Sequence, residues 1–206
     1  MFLHKVELNP TSREARRDLG DAYEMHRTLS RAFATCEKTP PHRFLWRVER
    51  SNDFQSSSVV LVQSDVEARW SFLESLDGYT STAVASKTVN LETLIQPSRH
   101  FRFRLLANPT VTRGGKRFGL TTVVEQQTWL ARQGERNGFD VHGCVRGNDE
   151  RLRVRQGRSG HWIVVQTALF DGVLEIRSAD AVRACVLGGL GHGKALGLGL
   201  LSLAPA

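Results

Sequence analysis

The strongest constraint on this chain is the order in which two hydrophobic periods alternate along it. Residues 2–8 alternate apolar and polar side chains up to Asn9-Pro10, which predicts a strand, because successive strand side chains point to opposite faces. Ser12 then precedes a helical pattern that puts Leu19, Ala22, His26, Leu29 and Phe33 on one stripe and ends at Pro40-Pro41. Two strands follow, residues 44–49 and 58–63, joined by a polar turn at Ser51-Asn52-Asp53. Residues 66–76 predict a second helix with Trp70 and Leu73 inward, and residues 82–95 return to β-type alternation. The order is β-α-β-β-α-β, a ferredoxin-like unit.

The composition shifts near Gln96-Pro97-Ser98, and a similar order begins again. Residues 101–105 predict a strand with a basic face, and Thr121 to Arg136 a helix with Val124, Thr128 and Leu130 or Ala131 near one face. Residues 151–155 and 161–170 form two arms of a predicted hairpin around a turn at 156–160, and 173–177 a short strand. Ser178 or Asp180 is positioned to cap a helix over 179–187, and Leu198 to Leu203 predicts a last strand. The expected fold is α+β with two tandem ferredoxin-like domains, residues 1–95 and 98–206. The halves agree in element order, not in sequence.

Composition narrows the function classes. Of 206 residues, 40% are hydrophobic and 24% charged, a globular mix that excludes disorder, collagen and coiled coil. No stretch reaches the ~18–20 unbroken apolar residues of a membrane span; the apolar run 195–206 is short and broken by Gly197, Gly199 and Pro205. Residues 1–7 have no apolar core of a signal peptide. Cys36, Cys144 and Cys185 are scattered and odd in number, with no CxxC pair, which suggests neither a disulfide framework nor a zinc site and suits a reducing cytoplasm.

The charge is unevenly placed. Residues 1–97 hold 12 Lys/Arg and 13 Asp/Glu; residues 98–206 hold 16 and 8, so the second half carries the whole excess of the net +7. A polyanion is the expected partner, nucleic acid ahead of an anionic membrane. The bases are 23 Arg and 5 Lys, and an Arg fork meets phosphate bidentately; Arg-favouring codon usage explains that excess equally well, but not the asymmetry.

Three basic segments stand out. Residues 188–199 contain six glycines, and Gly188 to Lys194 fits G-x-x-x-x-G-K. A P-loop would then need Ser or Thr where Ala195 stands, and a helix and parallel sheet for which too few residues remain. The loop is instead expected to bring backbone N–H groups close to a phosphate through Gly191, His192, Gly193 and Gly197, with Lys194 adding charge; the alternative is a connector needing glycine only for tight turns. Arg151, Arg153 and Arg155 alternate with Leu152 and Val154, which places three arginines on one strand face, with Arg158 in the following turn. Packed like charges favour a bound anion, although a solvated face is common. Arg113, Lys116 and Arg117 around Gly114-Gly115 form a third basic loop, or simply a surface turn.

Tyr23 and His26 lie three residues apart, so their side chains share a helix face. Imidazole and phenol can exchange protons for RNA cleavage by its own 2′-hydroxyl, without metal. Both also lie on or beside the apolar stripe, where such residues usually fill core. The other histidines (His4, His42, His100, His142, His161, His192) show no metal-ligand spacing, so neither a metal nor a cofactor is expected.

Across essentially its whole length the sequence resembles the CasE family, the CRISPR precursor-RNA endoribonucleases of Cascade-type systems in the repeat-associated (RAMP) superfamily. The resemblance rests on Phe2 to Val6, Phe44 to Glu49, Val60 to Ser64, Ser81 to Ala85, Phe103-Arg104-Leu105 with Ala107-Asn108-Pro109, Gly115-Lys116-Arg117, Trp129-Leu130 and Phe170 to Leu174. Its most specific part is Gly191-His192-Gly193-Lys194 leading to Gly199 through Pro205. It implies two tandem RRM-like domains and metal-independent cutting at the base of each CRISPR repeat hairpin. The products would carry a 5′-hydroxyl and a 2′,3′-cyclic or 3′-phosphate. It further implies retention on the mature guide RNA beside other Cascade subunits; no membrane contact is expected, and the free protein is expected to be a monomer. His26 matches the family's catalytic histidine and Tyr23 a tyrosine that some members place one turn earlier. No lysine stands beside the pair; Arg27 and Arg31 are the nearest cations. The glycine loop matches an RNA-backbone contact, and segments 113–117 and 151–158 match the stem-binding region by position and charge. A non-catalytic RNA-binding subunit of the same superfamily is the alternative.

Overall fold

The computed structural model describes residues 1–35, 40–49, 57–147, 150–156 and 161–206. The chain divides into two compact units, Met1–Val89 with Ala195–Gly197, and Asn90–Lys194 with Leu198–Ala206.

The first unit contains β1 (Phe2–Leu8), α1 (Arg13–Gly20), α2 (Ala22–Ser30), β2 (Phe44–Glu49), β3 (Ser58–Ser64) and β4 (Ala85–Thr88). Its antiparallel sheet has the order β2-β3-β1-β4, the ferredoxin-like arrangement, with Val6 opposite Val60 and His4 opposite Val62. The core is the inward set of these strands with Met25, Leu29, Phe33 and Tyr79. Each such buried side chain contributes roughly 1.5–3 kcal/mol relative to exposure.

Three expectations change here. The single helix after Ser12 is two helices, because Asp21 is extended (φ −140°, ψ 111°). Its backbone N–H closes α1 on the Arg17 carbonyl, and its carboxylate accepts the Tyr23 N–H to start α2. The helix expected over 66–76 is only a 3-10 helix, Ser71–Ser75. Tertiary contacts hold the segment before it: the Arg69 N–H donates to the Ala32 carbonyl, and the Trp70 indole reaches His4 Nδ1 at 3.3 Å. The strand expected over 82–95 shrinks to β4, because the Asn90 carboxamide accepts from the Glu92 and Thr93 N–H groups and opens the one-turn helix α3 (Leu91–Leu94). Arg183 donates to the carbonyls of Leu91, Glu92 and Ile95, which anchors α3 in the second unit.

The second unit continues with β5 (His100–Ala107), β6 (Thr110–Arg113), β7 (Lys116–Gly119), α4 (Val123–Asn137) and β8 (Phe139–Arg146). It ends with β9 (Glu150–Gln156), β10 (His161–Ile176), α5 (Ala179–Gly188) and β11 (Leu201–Pro205). The main sheet runs β11-β5-β10-β8, the same order as in the first unit, and β9 pairs with the first half of β10. Phe101, Phe103, Leu105 and Ala107 of β5 point inward while Arg102 and Arg104 stay exposed, as the alternation requires. The strand expected at 173–177 is the end of β10, and β8 and the β6–β7 hairpin carry no comparable signal in the sequence. On α4 the buried residues are Gln126, Trp129, Leu130 and Gly134; Val124, Thr128 and Ala131 are exposed, so the expected inward face is rotated. Gln126 fixes that face by donating to the Leu120 carbonyl and accepting from Arg146.

Candidate functional site

His26 sits in the middle of α2, half-buried, with its ring stacked on Phe44 (centroids 5.0 Å apart, planes at 18°). Phe44 stacks in turn on Phe33 at 4.6 Å, so the imidazole ends a column of three rings whose base is core. His26 Nδ1 is buried without a hydrogen-bond partner among the described residues. Burial lowers the imidazole pKa below its ordinary 6.5. The ring is therefore held in one orientation, with its neutral form favoured at pH 7. Tyr23 lies one turn earlier on α2, also half-buried.

The cations beside them differ in freedom. Arg27 is ion-paired with Glu24, which Arg17 also approaches at 3.5 Å. Arg31, the C-cap of α2, places its guanidinium 4.4 Å over the Phe72 ring and has no carboxylate partner among the described residues.

The glycine loop is shaped by close contacts. Gly197 has φ 77°, and a Cβ there would lie 2.8 Å from the Trp46 ring. Gly199 has φ 89°, and its Cβ would lie 2.5 Å from the Leu190 carbonyl oxygen. Glycine is thus required by conformation and space, whatever else the loop does. The Lys194 ammonium donates to the Gly191 carbonyl at 3.0 Å. The loop follows helix α5 and leads to strand β11, the reverse of the strand–loop–helix order that a P-loop needs.

In the second unit the loop meets the basic hairpin. Gly191 and His192 border a groove of about 630 Å³ with Arg113 of β6 and Trp129, Arg132, Gln133 and Arg136 of α4. Partial burial first, then the charges of Arg117 and Lys194, lower the His192 pKa below 6.5. Arg113, Lys116 and Arg117 are exposed around the β6–β7 turn. The base of that hairpin approaches β10: a Cβ on Gly119 would lie 3.0 Å from the Gln166 side chain. Arg132 and Arg136 are groove residues that the sequence reading did not select; their four-residue spacing after Thr128 was the available signal.

Arg151, Arg153 and Arg155 occupy alternate positions of β9, in register with Gln166, Val164 and Trp162 of β10. The Arg153 side chain is exposed and Val154 is buried. Arg158 lies outside the described residues, as do Cys36 and the turn at Ser51-Asn52-Asp53. No helix of the described residues is long and apolar enough to cross a membrane.

The histidines are not all isolated, contrary to the expectation from their spacing. His4 is buried against Trp70 and bonds Ser86 at 2.7 Å, a core role. His100 and His142, distant in sequence, converge with Glu175 on the second sheet. Strand pairing, which spacing along one chain does not reveal, brings them together.

A family model for CRISPR associated proteins matches residues 1–205. The chain is 40% identical, over the full length of both chains, to the CRISPR-associated endoribonuclease Cse3 of Thermus thermophilus. It is 32% identical, again over full length, to the CRISPR system Cascade subunit CasE of Escherichia coli. A solved structure of Cse3 bound to a 19-nucleotide RNA matches all of this chain with a TM-score of 0.89 at 40% identity. A chain of a CRISPR RNA-guided surveillance complex matches with a TM-score of 0.74 at 25% identity, both chains covered fully.

Proposed function

The chain belongs to the CRISPR-associated family of the Cse3 and CasE endoribonucleases, and from that membership we propose that it cuts CRISPR repeat RNA by attack of the RNA's own 2′-hydroxyl. It is an endoribonuclease that binds CRISPR RNA and works with other Cascade subunits, as do its relatives. The single observation that carries the chemical reading is His26: a desolvated imidazole, stacked in place on Phe44, with its pKa held below 6.5.

His26 in its neutral form removes the 2′-OH proton, and the oxygen attacks the adjacent phosphorus. The departing 5′-oxygen takes a proton from Tyr23, or takes one from the His26 imidazolium while Tyr23 donates a hydrogen bond to the phosphate. Arg31 offsets the charge that builds on the pentavalent phosphorus; Arg27, tied to Glu24, is the weaker candidate. The products are a 5′-hydroxyl and a 2′,3′-cyclic phosphate, or the 3′-phosphate that hydrolysis of the ring leaves. No step calls on a metal ion. The reaction takes place in the cytoplasm.

The domain roles follow the same reading. The first domain carries the catalytic helix and the second holds the RNA stem. A-form RNA is read by shape and backbone, which suits arginine-rich ribbons and loops over base-specific pockets. Arg113, Lys116, Arg117, Arg132, Arg136 and Lys194, with the Gly191-His192-Gly193 backbone, form one phosphate-binding surface, and the β9 arginines form another.

The deciding experiment is cleavage of the repeat RNA encoded beside this gene, in excess EDTA, with a parallel substrate carrying a single 2′-deoxy nucleotide at the cut site. Cutting persists in EDTA and stops with the 2′-deoxy substrate. Loss of cutting in EDTA, restored by a divalent ion, overturns the mechanism; tight binding without any cut leaves an RNA-binding subunit.

The stem placement has its own test. Arg153→Glu weakens RNA binding roughly tenfold or more and lowers the slope of log K against log salt by about one, because one phosphate contact is replaced by repulsion. Arg132→Glu does the same if the α4 groove holds backbone phosphates. Unchanged affinity across a salt series for both variants would remove these surfaces from the interface.

A further inference from the structure

His100, His142 and Glu175 come from three neighbouring strands, β5, β8 and β10, and one ligand atom of each lies within 4.8 Å of the others. His142 Nε2 is 2.8 Å and His100 Nε2 3.8 Å from the same oxygen, Glu175 Oε2. The two imidazole centroids are 5.2 Å apart. We propose that these three side chains bind one divalent transition-metal ion of the zinc class, on the sheet of the second unit.

Three features favour a metal over a simple histidine–carboxylate contact. First, both histidines direct the same nitrogen, Nε2, to one carboxylate oxygen, so three ligand atoms cluster within 4.8 Å of one another. Second, that convergence is built by backbone geometry. The β8–β10 register shifts so that Val141 pairs with Leu174 and Gly143 with Val173, which leaves His142 as the extra residue of a β-bulge. A bulge re-aims the side chain it carries, and here it aims His142 at Glu175. His100 reaches the same place by ordinary pairing, directly opposite Glu175. Third, the dimensions fit. Metal–ligand bonds of about 2.0–2.2 Å in a tetrahedron separate ligand atoms by about 3.3–3.6 Å. The His100 distance is already close to that, and the His142 contact has to open by about half an ångström.

The donor set selects the metal. Two imidazoles and one carboxylate favour zinc, cobalt, nickel or copper over magnesium or calcium, which take oxygen ligands. Three protein ligands leave a tetrahedral position for water. The exposed rim, with both histidines about half accessible, lets the ion enter without opening the fold. The bound ion ties β5, β10 and β8 together at one end of the sheet. It takes no part in the cleavage chemistry proposed for His26, so the two readings fail independently.

The test uses the full chain, stripped with chelator and exchanged into chelator-free buffer. Zn²⁺ is titrated by calorimetry, and Co²⁺ is added to read the visible absorption of a tetrahedral site. One ion binds per chain, Zn²⁺ raises Tm, and Mg²⁺ at the same concentration does not. His142→Ala and Glu175→Gln each weaken Zn²⁺ binding by roughly tenfold or more, since even loss of an outer-sphere partner costs ~10–100-fold in such sites. Both histidines are exposed and Glu175 is partly buried, and His100→Ala, at the first residue of β5, gives the same loss with the least risk to the fold. Absence of saturable Zn²⁺ binding in the unmodified chain overturns the proposal. So does equal binding by the unmodified chain and a folded variant, which would place the ion elsewhere.

Discussion

His26→Ala lowers the single-turnover rate of repeat-RNA cleavage by about 10²–10⁴-fold, the range that a positioned acid–base group supplies, and leaves RNA affinity nearly unchanged. The size of the effect follows from how the ring is held. Phe44 fixes its plane, and Nδ1 is buried without a partner among the described residues, which leaves Nε2 as the nitrogen assigned to the reaction. Burial lowers the imidazole pKa, which keeps the base form populated at neutral pH. The pH profile of cleavage with the free enzyme therefore has its acid limb below 6.5. Above that limb His26 is neutral and active; as pH falls through its depressed pKa, protonation removes the base and the rate falls. Cleavage by His26→Ala within a few fold of the unmodified rate, with normal folding by circular dichroism, would return the pair to core packing. Tyr23→Phe separates the roles further: it lowers the rate without moving the acid limb.

Gly172→Ala is expected to destabilise the second unit by on the order of 3–5 kcal/mol. Gly172 lies on β10 between β5 and β8, opposite Phe103 on one side and Cys144 on the other. A Cβ there would lie 2.0 Å from the Gly143 carbonyl oxygen, 2.9 Å from the Phe103 ring and 3.0 Å from the Cys144 Cα. Two of these three atoms are backbone in the middle of a hydrogen-bonded sheet, so relief requires the strands to part. Denaturant unfolding followed by circular dichroism measures the loss. The control is Gly143→Ala, where an added Cβ meets nothing within 4 Å and stability changes little. Equal stability for Gly172→Ala and the unmodified chain would mean that the sheet yields at this point.

Much of the frame was legible because it is written in local periods. The alternation of β5 places Phe101, Phe103 and Leu105 inward without any knowledge of its partners. Ser178 caps α5 and Ser12 caps α1, as short hydroxyl side chains before a helix do. Tyr23 and His26 share α2 because helical spacing alone puts them there. Where local signals compete with long-range contacts, the contacts decide the backbone. Segment 66–76 has a helical pattern, yet Arg69 and Trp70 are held by Ala32 and His4, and only a 3-10 turn survives. The break at Asp21 has a different cause: the apolar stripe runs through it, while the capping carboxylate acts on the next turn.

The sequence by itself determined the inward face of strands such as β5, the charge asymmetry, the family and the residue to test for proton transfer. All of these depend on neighbours along the chain or on a pattern spread over its whole length. Tertiary structure alone decided which distant groups meet. Folding made the desolvated, stacked setting of His26 and joined the basic hairpin, α4 and the glycine loop around one groove. It also brought His100, His142 and Glu175 together from three strands. The physical reason is register. A shift of one residue in β8 would turn His142 to the other face of the sheet while leaving every local pattern intact, and register is set by pairing across strands.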